Sequence, residues 1–160
     1  MIHCTFENGR ETSLRHITVG AIAINDSRQV LLVKRDSRIH NGNKYTIPGG
    51  FLDRDENTKE AVLRELKEET GYVGEIEALF QINDNPKRPK EDRQNVDFLF
   101  IVKILGGEKT LSDEVSEISW FDKEDLPEDE DFAFDHRAII LRYFDYLDKP
   151  FALPFMGGAL

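Results

Sequence analysis

The sequence contains a single cysteine, Cys4, among 160 residues. One thiol cannot form a disulfide within the chain, and disulfides are rare in a reducing cytosol, so we expect a cytoplasmic protein. No apolar run approaches the ~18 residues that a membrane-spanning helix needs. Residues 1–16 also lack the apolar stretch of a secretory signal peptide. These absences predict a chain with no membrane partner.

Positive charge is also scarce in this sequence. There are 21 lysines and arginines against 31 aspartates and glutamates, which gives a formal net charge of −10 at pH 7. Proteins that bind a nucleic-acid backbone present a basic face, so the composition argues against a nucleic-acid partner. A small anionic substrate stays compatible with this charge if metal ions and local arginines neutralise it. The acidic run 128–131 is interpreted as a solvated loop.

The most informative segment, residues 50–72, combines signals for the start and the end of a helix. Asn57 is a good N-cap residue, and Glu60 stands three positions later, where a capping box places its second partner. Gly71 supplies the left-handed conformation that ends many helices. The segment therefore predicts one helix over residues 58–70.

Three glutamates of this predicted helix, Glu65, Glu68 and Glu69, share one face because they are spaced at i, i+3 and i+4. Like charges at these spacings repel, and the repulsion grows where the face is partly buried. A divalent cation relieves it, and clustered hard oxygen donors suit Mg²⁺ or Mn²⁺. The alternative interpretation is a solvated, charge-rich surface helix.

The longer pattern around these glutamates decides between the two interpretations. Eight positions fit G-x5-E-x7-R-E-U-x-E-E-x-G-U, where U is a large apolar residue: Gly50, Glu56, Arg64, Glu65, Leu66, Glu68, Glu69 and Gly71. Tyr72 stands where an aliphatic residue is usual, and it is bulky enough to begin a strand. This pattern is the signature of the Nudix hydrolases, and the chain resembles that family over roughly residues 17–147.

The resemblance implies an α/β fold, an α/β/α sandwich with a mixed β-sheet between helices. We expect one domain over residues 1–160, with its core at about 17–147 and an apolar C-terminal tail at 148–160. Alternation and β-branched residues predict strands at 17–24, 30–34, 72–82, 96–105 and 118–121. Asp135 is predicted to cap a second helix that runs to about residue 147. His3 and Cys4 are interpreted as part of a frayed terminus. The tail is expected to dock on the domain or on a second subunit of a homodimer.

The resemblance also implies a reaction, the hydrolysis of a nucleoside diphosphate linked to another moiety. Glu65, Glu68 and Glu69 would bind Mg²⁺, with Mn²⁺ as the alternative, and the carbonyl of Gly49 would add a further ligand. Arg64 is expected to ion-pair with a carboxylate and aim it, and Glu56 to be a structural or outer group. Glu114 is our choice for the general base, with Glu117 as the alternative.

Substrate identity depends on residues outside this pattern. The segment 86–95 is the most basic part of the chain, and we expect Arg93 and Arg88 to bind phosphate there. A solvated hairpin tip is the alternative. Pro86 and the segment 132–137 resemble features of ADP-ribose-cleaving members, whereas His136 is expected to be structural. A nucleoside triphosphate pyrophosphohydrolase and a non-catalytic ligand sensor are the rival functions.

Overall fold

The computed structural model describes residues 2–91 and 93–157. Two α-helices and ten strands are present in this part of the chain. The helices are α1 (Thr58–Thr70) and α2 (His136–Asp148), and a 3-10 turn covers Asp129–Asp131. The strands are β1 (Ile2–Thr5), β2 (Glu11–Leu14), β3 (Ile17–Ile24), β4 (Val30–Arg35), β5 (Tyr45–Thr46), β6 (Gly49–Phe51), β7 (Tyr72–Asn83), β8 (Val96–Gly107), β9 (Val115–Phe121) and β10 (Phe155–Met156).

The main sheet mixes parallel and antiparallel pairs in the order β10-β7-β8-β3-β4-β5, while β6 pairs with β3 and β9 pairs with β4. β3 runs parallel to β8, from Ile17 opposite Val96 to Ile24 opposite Lys103. β7 is antiparallel to β8, and β4 is antiparallel to β9. The predicted mixed sheet between helices is confirmed.

Alternation along the strands divides the interior into two cores, one on each face of the sheet. On β3, Val19 and Ala21 point to the face covered by α1, where they meet the buried Val62 and Leu66. Ile22 points to the opposite face. There it packs with a second cluster that includes residues of α2: Ile139, Ile140, Tyr143 and Phe144. Each helix buries one apolar stripe against the sheet. The polar side of α1 therefore faces away from the core.

The ends of α1 agree with the predicted helix. The side chain of Asn57 accepts hydrogen bonds from the backbone N–H of Lys59 (3.0 Å) and Glu60 (3.1 Å), and Glu60 accepts one from the Asn57 N–H (2.9 Å). Gly71 ends the helix at φ 76°. A Cβ at Gly71 would lie 2.1 Å from the carbonyl oxygen of Glu108, so only glycine fits there.

Two local predictions were wrong, and one predicted strand begins earlier than expected. His3 and Cys4 are not part of a frayed terminus, because β1 and β2 pair as a hairpin with Ile2 opposite Leu14. Asp135 precedes α2 but makes no side-chain cap, since its carboxylate accepts from Asn83 and Arg88 instead. The fifth predicted strand is longer than expected and begins at Val115.

The apolar tail lies against the domain. Phe155 of β10 pairs with Gln81 of β7 in a parallel register, and the Phe151 ring lies 5.2 Å from the Tyr146 ring. Leu160 lies outside the described residues. The homodimer and the single domain over residues 1–160 stay predictions. Neither α1 nor α2 has the length and apolar character required to cross a membrane.

Candidate active site

A cleft of about 800 Å³ opens between the polar side of α1 and the loops at one end of the sheet. Its floor includes β6, whose residues Gly49 and Gly50 lie opposite Gly20 and Val19 of β3. A Cβ on Gly50 would lie 2.5 Å from Oε1 of Glu65. The glycine therefore leaves the space that the Glu65 carboxylate needs beside the strand.

The three glutamates of α1 line this cleft at different depths. Glu69 lies deepest and accepts a hydrogen bond from the backbone N–H of Gly49 at 2.9 Å. The side chain of Glu65 is 16% exposed, whereas that of Glu68 is 60% exposed. The helix thus presents a graded carboxylate face, from partly buried to solvated, opposite the glycine turn.

Arg64 ties part of this face together. Its Nη2 donates to Glu56 Oε1 at 2.6 Å, and its Nη1 donates to Glu65 Oε1 at 2.8 Å and to Glu68 Oε2 at 3.1 Å. The Arg64 guanidinium holds the pKa of the Glu56 carboxyl at about 2. Arg64 therefore orients two of the three glutamates, and Glu56 anchors Arg64.

Burial raises the pKa of Glu69 to about 8, and the nearby Glu65 carboxylate adds to the rise. The Gly49 N–H opposes it by stabilising the charged form. Burial also raises the pKa of Glu65. Two neighbouring carboxyls whose ionised forms are both disfavoured make a site that gains from a bound cation.

The donor set fits a hard divalent cation. The carboxylates of Glu65, Glu68 and Glu69 supply oxygen atoms of the kind that Mg²⁺ and Mn²⁺ bind. Glycines at positions 49 and 50 keep Cβ atoms out of the space beside them. Among the described residues, no three acidic, histidine or cysteine side chains already form a metal-binding cluster. Arg64 contacts Oε1 of Glu65 and Oε2 of Glu68, so the second oxygen of each carboxylate makes no contact with Arg64.

The cations of the cleft lie at different places on its wall. Arg93 lies near the mouth, with its guanidinium carbon 5.5 Å from the centre of the Phe51 ring. Arg88 also lines the cleft, but its side chain is only 3% exposed, and it pairs with Asp97 at 3.1 Å and Asp135 at 2.6 Å. Arg88 is therefore buried in the fold, although most of the described residues of the segment 86–95 are exposed.

The two candidates for the general base occupy different environments. Glu114 lines the cleft, and its carboxylate is close enough to Glu69 to disfavour ionisation there. Glu117 lies on β9, away from the residues that line the cleft. It accepts hydrogen bonds from Tyr45 Oη at 3.2 Å and Ser119 Oγ at 2.8 Å. Only Glu114 of this pair has access to a ligand in the cleft.

His136, at the first turn of α2, closes the inner end of the cleft. Its Nδ1 accepts the backbone N–H of Ile47 at 3.3 Å, with Thr46 Oγ1 2.5 Å away. Burial lowers the pKa of His136 well below its ordinary value. The imidazole is therefore neutral and carries its proton on Nε2.

Comparison with known proteins assigns this arrangement to a family. A model of the NUDIX domain matches residues 14–143. The chain belongs to the Nudix hydrolase family. It is 35% identical over 120 residues to an ADP-ribose pyrophosphatase of Methanocaldococcus jannaschii, covering 75% of this chain and 68% of that protein. It is also 35% identical over 108 residues to a putative 8-oxo-dGTP diphosphatase of Bacillus subtilis, covering 66% of each.

A solved Nudix structure shares the fold over nearly the whole chain. The crystal structure of a NUDIX hydrolase from Nitrosomonas europaea matches with a TM-score of 0.80 at 23% identity, covering 98% of this chain and 92% of that one. The chain is thus a Nudix hydrolase, a pyrophosphohydrolase by family. Nudix hydrolases generally use divalent metal ions and act on small nucleotides.

One cleft residue of this Nudix chain was missed at the sequence level. Arg35 ends β4, lines the cleft and interacts electrostatically with Glu69 and Glu114. Its Nε donates to the carbonyl oxygen of His40 at 2.9 Å. The available signal was its place directly after the strand predicted at 30–34, at the start of the loop that leads to the glycine turn.

Proposed function

We propose that this Nudix hydrolase uses Mg²⁺ to cleave ADP-ribose into AMP and ribose 5-phosphate. The observation that carries the proposal is the graded carboxylate face of Glu65, Glu68 and Glu69, set across one cleft from cationic side chains. The cleft volume of about 800 Å³ lies within the usual range for small-molecule sites. The relative named ADP-ribose pyrophosphatase supports this substrate.

In this proposal, Glu65, Glu68 and Glu69 hold Mg²⁺ together with the carbonyl of Gly49, and Mn²⁺ is an alternative ion. The bound ion supplies charge neutralisation at the diphosphate. Arg64 positions Glu65 and Glu68, because it is held in turn by Glu56.

Glu114 accepts a proton from the attacking water, whose oxygen bonds to one of the two phosphorus atoms. The bond between that phosphorus and the bridging oxygen breaks, and the other phosphate leaves with the bridging oxygen. Arg93 and Arg35 lie on the cleft wall where they can contact phosphate oxygens. The paired and buried Arg88 contributes to the inner wall.

A nucleoside triphosphate pyrophosphohydrolase is the second candidate. Its support is the relative named putative 8-oxo-dGTP diphosphatase, at the same 35% identity as the first relative. The two candidates share the carboxylate face and differ in the products released. ADP-ribose yields AMP and ribose 5-phosphate, whereas a triphosphate yields a monophosphate and pyrophosphate.

A hydrolysis panel distinguishes these candidates. ADP-ribose, NADH, UDP-sugars, 8-oxo-dGTP and the ordinary dNTPs are incubated with the protein and Mg²⁺, and products are identified by mass spectrometry. The proposal predicts the highest kcat/KM for ADP-ribose, and a preference for a triphosphate would refute this substrate. Glu114→Gln should lower kcat by about 100-fold or more if Glu114 is the base. Glu117→Gln is the matched control, since Glu117 lies off the cleft, and its kcat should be unchanged.

A further inference from the structure

The inner end of the cleft contains two hydrogen-bond donors that the proposed chemistry does not use. One is Nε2 of His136, for which no acceptor exists among the residues that the structure describes. The other is Nη2 of Arg88, a buried nitrogen that also has no hydrogen-bond partner in the described part of the chain. Both side chains line the cleft. A buried donor is normally satisfied, so the unpartnered Arg88 Nη2 beside a cleft-facing His136 Nε2 indicates a ligand or ordered solvent.

His136 is fixed as a donor by its surroundings. Because the Ile47 N–H points at Nδ1, we assign Nδ1 as the acceptor of this N–H and of the Thr46 hydroxyl, and we place the ring proton on Nε2. Burial keeps the imidazole neutral at ordinary pH. His136 therefore offers one directed N–H to the cleft and no positive charge.

Arg88 is a donor whose charge is already balanced. Its Nε donates to Asp135 Oδ1 at 2.6 Å, and its Nη1 lies 3.1 Å from Asp97 Oδ2 and 4.0 Å from Glu91 Oε2. Three acidic side chains around one guanidinium leave no surplus of positive charge for a phosphate. An uncharged acceptor on Nη2 avoids the repulsion that a phosphate would meet there.

Phe134 forms the wall between these donors. Its ring lies 5.3 Å from the His136 ring and 5.4 Å from the guanidinium carbon of Arg88. Its backbone has φ 54°, a left-handed conformation that is uncommon for an aromatic residue. Such backbone strain is concentrated at ligand sites, and here it places a flat apolar surface in the cleft.

We propose that His136 Nε2 and Arg88 Nη2 form a subsite, walled by Phe134, that binds an uncharged hydrogen-bond acceptor on the non-phosphate part of the substrate. The subsite rests on the proposed function, because it assumes that the diphosphate lies at the carboxylate face of α1. The acceptor is a ring nitrogen or carbonyl of the base, or a hydroxyl of a sugar. The subsite selects among nucleotides and takes no part in breaking bonds.

The test uses two substitutions of His136 that separate its structural role from its role in the cleft. In His136→Asn, the asparagine oxygen lies near the position of Nδ1, so the Ile47 N–H keeps its acceptor and the cleft loses its donor. In His136→Gln, the glutamine amide lies near the position of Nε2, so the cleft keeps a donor and the Ile47 N–H loses its acceptor. A purely structural histidine predicts that His136→Gln is the damaging change. Arg88 is unsuitable for the test because it stabilises buried carboxylates.

Binding is measured by calorimetry with Mg²⁺ and two probes, α,β-methylene ADP-ribose and methylenebisphosphonate. His136→Asn should weaken binding of the nucleotide analogue by about 10-fold, which corresponds to about 1.4 kcal/mol for one lost hydrogen bond. Its melting temperature and its affinity for the bisphosphonate should match those of the wild type. His136→Gln should retain more affinity for the nucleotide analogue than His136→Asn.

Binding of AMP and of ribose 5-phosphate is measured separately to locate the acceptor. His136→Asn should weaken binding only of the product that carries the acceptor. Equal weakening of both original probes, or no change in either, would overturn the subsite. ADP-ribose hydrolysis without a contrast between the variants would overturn the subsite and leave the proposed function standing. If the two variants differ in binding as expected but ADP-ribose is not hydrolysed, the subsite would stand and the proposed function would be overturned. No binding of the nucleotide analogue to the wild type would overturn both.

Discussion

Replacing Glu69 with glutamine should stabilise the metal-free protein although it removes a residue of the active site. Burial raises the pKa of this carboxyl from 4.5 to about 8. In metal-free protein the folded state therefore binds a proton more tightly than the unfolded state does. The contribution of Glu69 to stability should therefore be most favourable near pH 4.5 and below, and it should fall as the pH rises toward 8. Glutamine is uncharged at every pH and can still accept the Gly49 N–H.

The expected increase in the free energy of unfolding depends on the difference between the pH of the experiment and the unfolded-state pKa of 4.5. At pH 7 that difference is about 2.5 pH units, each worth about 1.4 kcal/mol, so the upper limit is about 3.5 kcal/mol. Water in the cleft screens the Glu69 carboxylate and reduces this figure. For a domain of this size, about 3 kcal/mol raises the melting temperature by about 6–12 °C.

Thermal unfolding of both proteins in EDTA across this pH range is the assay. The gain from Glu69→Gln should be largest near neutral pH and vanish near pH 4.5, the ordinary pKa of the group. Mg²⁺ should stabilise the wild type, by about 2.7 kcal/mol at one hundred times its Kd, and should stabilise the variant much less. Glu68→Gln is the control, because its exposed side chain should change stability by no more than about 0.5 kcal/mol. A Glu69→Gln protein that melts at or below the wild-type temperature in neutral EDTA would refute this reasoning.

Other substitutions test the supports of the site. Arg64→Lys keeps the charge but loses the forked contacts, so kcat/KM should fall at least 10-fold while the melting temperature drops by only a few degrees, equivalent to about 1 kcal/mol. Gly50→Ala places a Cβ against Glu65 and should raise the Mg²⁺ concentration needed for half-maximal activity, which a metal titration measures. Deleting residues 150–157 removes β10 and the ring contacts made by Phe151, so calorimetry should show a lower melting temperature. An unchanged melting temperature there would show that the tail contributes no stability.

Much of the framework could be predicted because local chemistry and global fold agree in this chain. Asn57, Glu60 and Gly71 are adjacent in sequence to the helix that they bound, so the limits of α1 follow from them. The strands at 17–24 and 96–105 could be recognised because both are apolar on both faces, as strands covered on two sides must be. The carboxylate face then follows from helical spacing alone.

Other parts of the site depend on contacts that are distant in sequence. Asp135 has the composition and position of an N-cap, yet Arg88 and Asn83 compete for its carboxylate from another part of the chain. Arg88 resembles a solvated cation in a charged loop, and only the fold buries it between aspartates. Arg35 reaches the cleft because β4 ends beside it, which a single strand pattern cannot reveal.

The role of the α1 carboxylates is tested most directly by ADP-ribose hydrolysis at increasing Mg²⁺ concentration. The wild type, Glu69→Gln and Glu117→Gln are compared. The wild type and Glu117→Gln should both release AMP and ribose 5-phosphate, with activity that requires Mg²⁺. Glu69→Gln should lose about 100-fold in kcat while remaining folded, as expected for removal of a ligand of the catalytic metal ion. Equal activity of Glu69→Gln and the wild type, or unchanged hydrolysis in EDTA, would contradict the assignment of the α1 carboxylates as the centre of the reaction.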